Sequence, residues 1–139
     1  MFHVVPDSNV FISALVYGGK PLDLLEMGVE QEVTLLTSPA ILEETLRVLQ
    51  AKFSYTPEQL EGARHLIEAA CYGVFKPGVE VKAVKEDPDD DKFLELAVQF
   101  ADSVVATGDK HLLRLGKYEH VEIMTVAAFL ERINRIVQR

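Results

Sequence analysis

The sequence predicts an α/β domain of three layers, with a mostly parallel central sheet covered by helices on both faces. Three observations carry that reading. Short apolar runs with β-branched residues recur along the chain, as in "HVVP", "VTLL", "SVVA" and "VEIM". Between them lie stretches whose apolar residues repeat at helical spacing, and Pro, Gly, Ser, Thr or Asp punctuates the junctions. Strands that alternate with helices pair in parallel, because each crossover helix returns the chain to the same end of the sheet.

The elements follow in order. "FHVVP" is a strand, and "NVFISALVYG" a helix with Val10 above Ala14 and Phe11 above Leu15, ending at Gly18-Gly19. "PLDLLEMGVEQ" is a second helix, opened by Pro21 where no amide hydrogen is needed. "EVTLLTS" is a strand, and Ser38-Pro39 caps the helix "AILEETLRVLQAKF". "TPEQLEGARHLIEAACYG" reads as one helix through Leu60, Ala63, Ile67 and Ala70, and "VEVKAV" alternates as a short strand. "DDDKFLELAVQFA" is a helix, "DSVVAT" a strand, "DKHLLRL" a short helix, "VEIMT" a strand and "VAAFLERINRIVQ" the closing helix. With 139 residues, no repeat and no Pro/Gly-rich linker, the expectation is one domain over residues 1–139.

Composition narrows the function. Net charge is −8 and the pI about 4.9, which argues against nucleic-acid binding through a broadly basic surface. It leaves open a nuclease whose bound cations offset the repulsion. No apolar run is long enough to span a membrane, no leader is seen, and the single Cys71 sits among apolar residues as a buried free thiol. The expectation is a cytoplasmic protein with no membrane partner.

Ligands of open parallel sheets bind beyond the carboxyl ends of the strands. Asp7 follows the first strand directly and Asp109 follows the turn Thr107-Gly108 after a later one. Each of these acids is also a good helix cap, but capping does not explain why they gather on one sheet edge. In "EDPDDD", Asp90 leads by helical phase to Leu94 and Ala97 and points inward, whereas Asp89 and Asp91 are expected to face water. Asp87, before Pro88, is expected in extended backbone within reach of the cluster. In the third helix, phase leaves Glu43 and Glu44 on opposite edges of the apolar stripe and does not choose between them.

If such acids converge, each pair 4 Å apart costs about 4 kcal/mol at an effective dielectric of 20, and a cation must compensate. Oxygen donors select hard ions, so Mg²⁺ or Mn²⁺ fits, one ion or two. The four scattered histidines and one cysteine offer no zinc spacing, and no phosphate-cradling or dinucleotide glycine motif is present. Metal-assisted phosphodiester hydrolysis is the best enzyme reading.

"VVPDSNVFISAL", "SPAILEETLRVL", "EDPDDDKFLELA" and "VVATGDKHLL" resemble, in order and over nearly the whole chain, the successive motifs of PIN-domain ribonucleases, in particular VapC-related toxin components. The resemblance implies a PIN-like α/β/α fold, a Mg²⁺ or Mn²⁺ site and endonucleolytic cleavage of RNA, with a cognate antitoxin as a partner. It implies Asp7, Glu44, Asp90 and Asp109 as catalytic and metal-ligating acids, and so selects Glu44 over Glu43. Asn9, Asp87 and Thr107 would support the pocket, and Lys92 and Lys110 would contact phosphate, with His111 and Arg47 as further candidates. A homodimer through "PLDLLEMGV" and "LRVLQAKF" is a further expectation. The competing reading is a PIN-fold RNA- or protein-binding module with weak or no catalysis.

Overall fold

Residues 2–137 are described by a computed structural model; Gln138, the last position of the predicted closing helix, lies outside them. The first apolar run forms strand β1 (His3–Pro6), which pairs in parallel through His3 and Val4 with β2 (Thr34–Thr37) on one side and through all four residues with β4 (Ser103–Ala106) on the other. Parallel strands between helical layers are buried on both faces and so read as continuous apolar runs rather than alternating ones. Val4, Val5, Leu35, Leu36 and all of β4 are buried. The full order is β3-β2-β1-β4-β6-β5, with β3 (Cys71–Val74) at one edge and β6 (Val121–Met124) parallel to β4. Among the described residues, only the two-residue β5 (Lys117–Tyr118) is antiparallel to its neighbour.

The helices follow their caps. Helix α1 (Ser8–Val16) is capped by Asp7, and α2 (Gly19–Val29) begins after Gly18, whose positive φ of 78° suits a residue without Cβ. Gly28 lets α2 press onto the sheet, since a Cβ there would run into the Ala70 carbonyl and the Leu35 side chain. Ser38 caps α3 (Pro39–Phe53) with Pro39 in the first turn, as expected. Its stripe of Ile41, Leu42, Leu46 and Leu49 is buried, at about 1.5–3 kcal/mol per fully buried large side chain. Thr56 and Gln59 form a reciprocal capping box at the start of α4 (Pro57–Ala70). A 3₁₀ turn (Pro88–Asp90) leads into α5 (Asp91–Ala97); α6 (Lys110–Leu115) and α7 (Val126–Val137) complete the layers.

Two expectations change. The predicted helix through Gly73 stops at Ala70, and Cys71–Val74 becomes edge strand β3. "VEVKAV" does not form a strand; amides along residues 78–84 bond to side chains instead of a neighbouring backbone. Gly78 N donates to Gln99 Oε1 (3.1 Å), Val81 N to Glu95 Oε2 (2.9 Å), and Ala83 N and Val84 N both to Asp91 Oδ1 (3.0 and 2.8 Å). Asp91, Glu95 and Gln99 sit four residues apart, on one ridge running from α5 into the turn after it, and receive the 78–84 segment antiparallel to it. Asp91 is therefore buried at 7% exposure rather than facing water. The thiol of Cys71 is free and buried, which pushes its pKa up to about 12. Among the described residues, no helix is long and apolar enough to cross a membrane.

Candidate functional site

The chain leaves β1 for β2 on one side and reaches β4 on the other, so a crevice opens between the carboxyl ends of β1 and β4. Asp7 N donates to Ala106 O at 3.0 Å there, which ties the two strand ends together. A cavity of about 440 Å³ lies above them, lined by Asp7, Ser8, Asn9, Glu44, Asp87, Asp89, Asp90 and Asp109, with Ile12, Val48 and Phe93 as an apolar wall.

Asp7 is 3% exposed. Its Oδ1 accepts from Val10 N at 2.8 Å, and its Oδ2 accepts from the Thr107 hydroxyl in a short bond. Burial raises its pKa, the Thr107 and Val10 hydrogen bonds oppose that rise, and the charges of Asp109 and Glu44 add to it. The Thr107 oxygen also accepts from Asp109 N at 2.9 Å, so one buried hydroxyl links the two strand-end acids. Asp109 Oδ1 accepts from His111 N at 3.3 Å and caps α6. Capping and gathering at the crevice thus coexist in Asp7 and Asp109.

Asp90 occupies the cap position of α5 but makes no capping bond. Its Oδ2 is buried without a hydrogen-bond partner. Carboxylate oxygens of Asp87, Asp90 and Asp109 all lie within 4.8 Å of one another. Burial, then the neighbouring Asp109 carboxylate and the charge of Asp87, push Asp90 up to about 8, while the contact with Asp90 lowers Asp109. Asp87 reaches the trio from extended backbone (φ −148°, ψ 84°), held as the residue before Pro88 must be.

Glu44 faces the cavity from α3, whereas Glu43 is exposed. Glu44 Oε2 accepts from Lys92 Nζ at 2.9 Å. Lys92 also donates to Asp89 Oδ2 at 2.7 Å and Asp89 O at 3.1 Å, so its three hydrogens all point at protein oxygens. Burial acts to lower the Lys92 pKa, but Asp89 and Glu44 outweigh it and the ammonium is favoured. Lys92 in turn lowers Asp89. Arg47 lies 4.0 Å from Glu44 Oε2 and is exposed; Lys110 is exposed on the turn after Asp109, and Asn9 is exposed at the cavity rim.

A family model of the PIN domain matches residues 3–111. The chain belongs to the PIN domain family. Comparison with curated proteins gives no match. PIN domains are generally nucleases, and the acidic trio is an arrangement able to hold a metal ion. The donor set fits a hard divalent cation: every ligand atom is a carboxylate oxygen, and one buried oxygen on Asp90 lacks any other partner. Two polar lining residues of this PIN domain, Ser8 and Asp89, were not among the expected site residues. Asp89 is exposed, as expected, yet lines the cavity and bonds to Lys92, and Ser8 is buried with an unpartnered Oγ. The three-residue spacing of Asp89 and Lys92 is a local signal for that contact, whereas no local spacing marks Ser8.

Proposed function

We propose that this PIN domain, one unit over residues 1–139, is a Mg²⁺- or Mn²⁺-dependent endoribonuclease with Asp7, Glu44, Asp90 and Asp109 as its catalytic acids. The observation that carries the reading is the unpartnered, buried Oδ2 of Asp90 beside Asp87 and Asp109, a concentration of negative charge that calls for a cation. Asp87, Asp90 and Asp109 would hold the ion, which when bound supplies positive charge at the phosphate and makes water a better nucleophile. The Thr107 hydroxyl keeps Asp7 in one orientation at the cavity floor. Asn9 at the rim and Lys110 beside the cavity are the groups available to an incoming strand, and the apolar wall excludes water from one side.

The choice of RNA over DNA rests on the motif resemblance, as does the role as toxin of a cytoplasmic toxin–antitoxin pair whose antitoxin shields the cavity. A homodimer would use exposed parts of α2 and α3, since Leu24, Leu25, Leu46 and Leu49 are committed to the protein's own core. The test is cleavage of structured and unstructured RNA in Mn²⁺ or Mg²⁺ by wild type, Asp7→Asn and Asp90→Asn. Cleavage that requires metal and is lost in both variants supports the site; cleavage that persists in EDTA or in both variants removes it. Metal binding without cleavage of any RNA supports the binding-module reading instead.

A further inference from the structure

Six carboxylates line the cavity; Asp7 is held by Val10 N and the Thr107 hydroxyl, and the other five fall into two sets. Asp87, Asp90 and Asp109 converge on one another. Glu44 and Asp89 converge on the Lys92 ammonium, at 2.9 and 2.7 Å. That side chain is only 12% exposed, and the Phe93 ring lies 5.0 Å from its Nζ. Its third hydrogen goes to Asp89 O. An ammonium seated between two carboxylates at these distances does electrostatically what a small cation would do there. Arg47 is a poor substitute, being 71% exposed and 4.0 Å from Glu44.

Resting on the metal-nuclease reading above, we propose that Lys92 is a positioning residue that fills the second cation position by holding Glu44 and Asp89, so the cavity takes one divalent ion rather than two. Three features favour it. Glu44 is engaged by Lys92 and stands outside the converging trio, so it is not a ligand while that pair is intact. Asp89 and Lys92 are three residues apart at the entry to α5, so the chain's local geometry presets their contact. A fixed positive charge beside the trio also repels a second divalent ion. Removal of Lys92 leaves Glu44 and Asp89 as an unpaired oxygen pair facing the cavity, the donor type that hard cations take.

The test counts Mn²⁺ per chain by titration calorimetry and by the electron paramagnetic resonance of free Mn²⁺, with no RNA present. Wild type and Lys92→Arg are expected to bind one ion, and Lys92→Met two. Glu44→Gln is expected to bind one ion at close to wild-type affinity, whereas loss of a group that supports the bound ion costs about tenfold or more. Circular dichroism establishes that each variant is folded, and Glu44→Gln carries the test alone if Lys92→Met is not. Two ions in wild type, one ion in folded Lys92→Met, or a tenfold weakening in Glu44→Gln overturns the role of Lys92 and leaves the metal site standing. Failure of wild type to bind any Mn²⁺ overturns the metal-nuclease reading itself.

Discussion

Replacing Asp91 with alanine removes the acceptor of two backbone amides, Ala83 N and Val84 N, bonded to the same Oδ1 at 3.0 and 2.8 Å. Val84 is 2% exposed, so its amide finds no water when the carboxylate is gone; Ala83 is half-buried and recovers part of its loss. A buried donor left without a partner costs about 1–3 kcal/mol, which places the sum near 3 kcal/mol. Against a total stability of about 5–15 kcal/mol this is a large fraction, and it lowers the melting temperature by about 10 °C for a chain of this size. Asp91→Asn keeps an acceptor oxygen of the same shape and is expected to lose about 1 kcal/mol, the part that depends on charge. Urea denaturation followed by circular dichroism measures both. A loss in Asp91→Ala within about 0.5 kcal/mol, the range of an ordinary surface substitution, would refute the stitching of the 78–84 segment to α5.

Two further substitutions separate function from stability. Asp90→Asn relieves repulsion among oxygens that lie within 4.8 Å of one another, most of it already offset by the Asp90 proton, so the metal-free variant is expected to gain about 1 kcal/mol while its Mn²⁺ binding weakens more than about tenfold. The pH dependence of metal-free wild type has a defined sign. Above the ordinary value of 3.8 the unfolded chain releases the Asp90 proton, whereas the folded protein holds it to about 8, so stability falls as pH rises across that interval. The lowered Asp109 acts in the opposite sense only at the acid end. The difference between urea midpoints at pH 5 and pH 8 is expected to shrink in Asp90→Asn, with the raised Asp7 contributing what remains in the same sense. Thr107→Val removes the hydroxyl that serves both Asp7 and Asp109, and is expected to lower activity about 10- to 100-fold while costing about 1–2 kcal/mol; Thr107→Ser restores both, and full activity in the valine variant would discount the link.

The layered α/β architecture was legible because parallel strands buried on both faces leave uninterrupted apolar runs, and "HVVP", "TLL" and "SVVA" are such runs. The inward aim of Asp90 was legible for a similar reason: helical phase reports which side of α5 meets the core, and Leu94 and Ala97 are buried there. Phase misjudged Asp91, because a polar ridge at four-residue spacing reads as solvent-facing even when it receives another segment's amides. Those amides belong to residues whose extended, alternating pattern is that of a strand, and the substitution of side chains for a partner strand leaves no local mark. Strand β3 was hidden by the opposite effect. Ala69, Ala70 and Cys71 continue the apolar spacing of α4, and an edge strand that exposes Tyr72 and Val74 lacks the fully apolar signature of its inner neighbours. The pairing of Lys92 with Glu44 joins residues 48 apart in sequence, so only the folded chain brings it into view.

The bond from Thr107 to Asp7 spans 100 residues of sequence, and β4 lies directly against β1 with no strand between. The site is therefore created by the longest-range pairing in the sheet, which closes only after β2, β3 and the intervening helices have been made. A ribosome that has not yet delivered residues 103–109 holds a chain with Asp7 and Glu44 but without Asp109, and the crevice has only one wall. A site built this way has no complete fragment: its two walls come together only once the chain has been made through β4 and the turn that follows it.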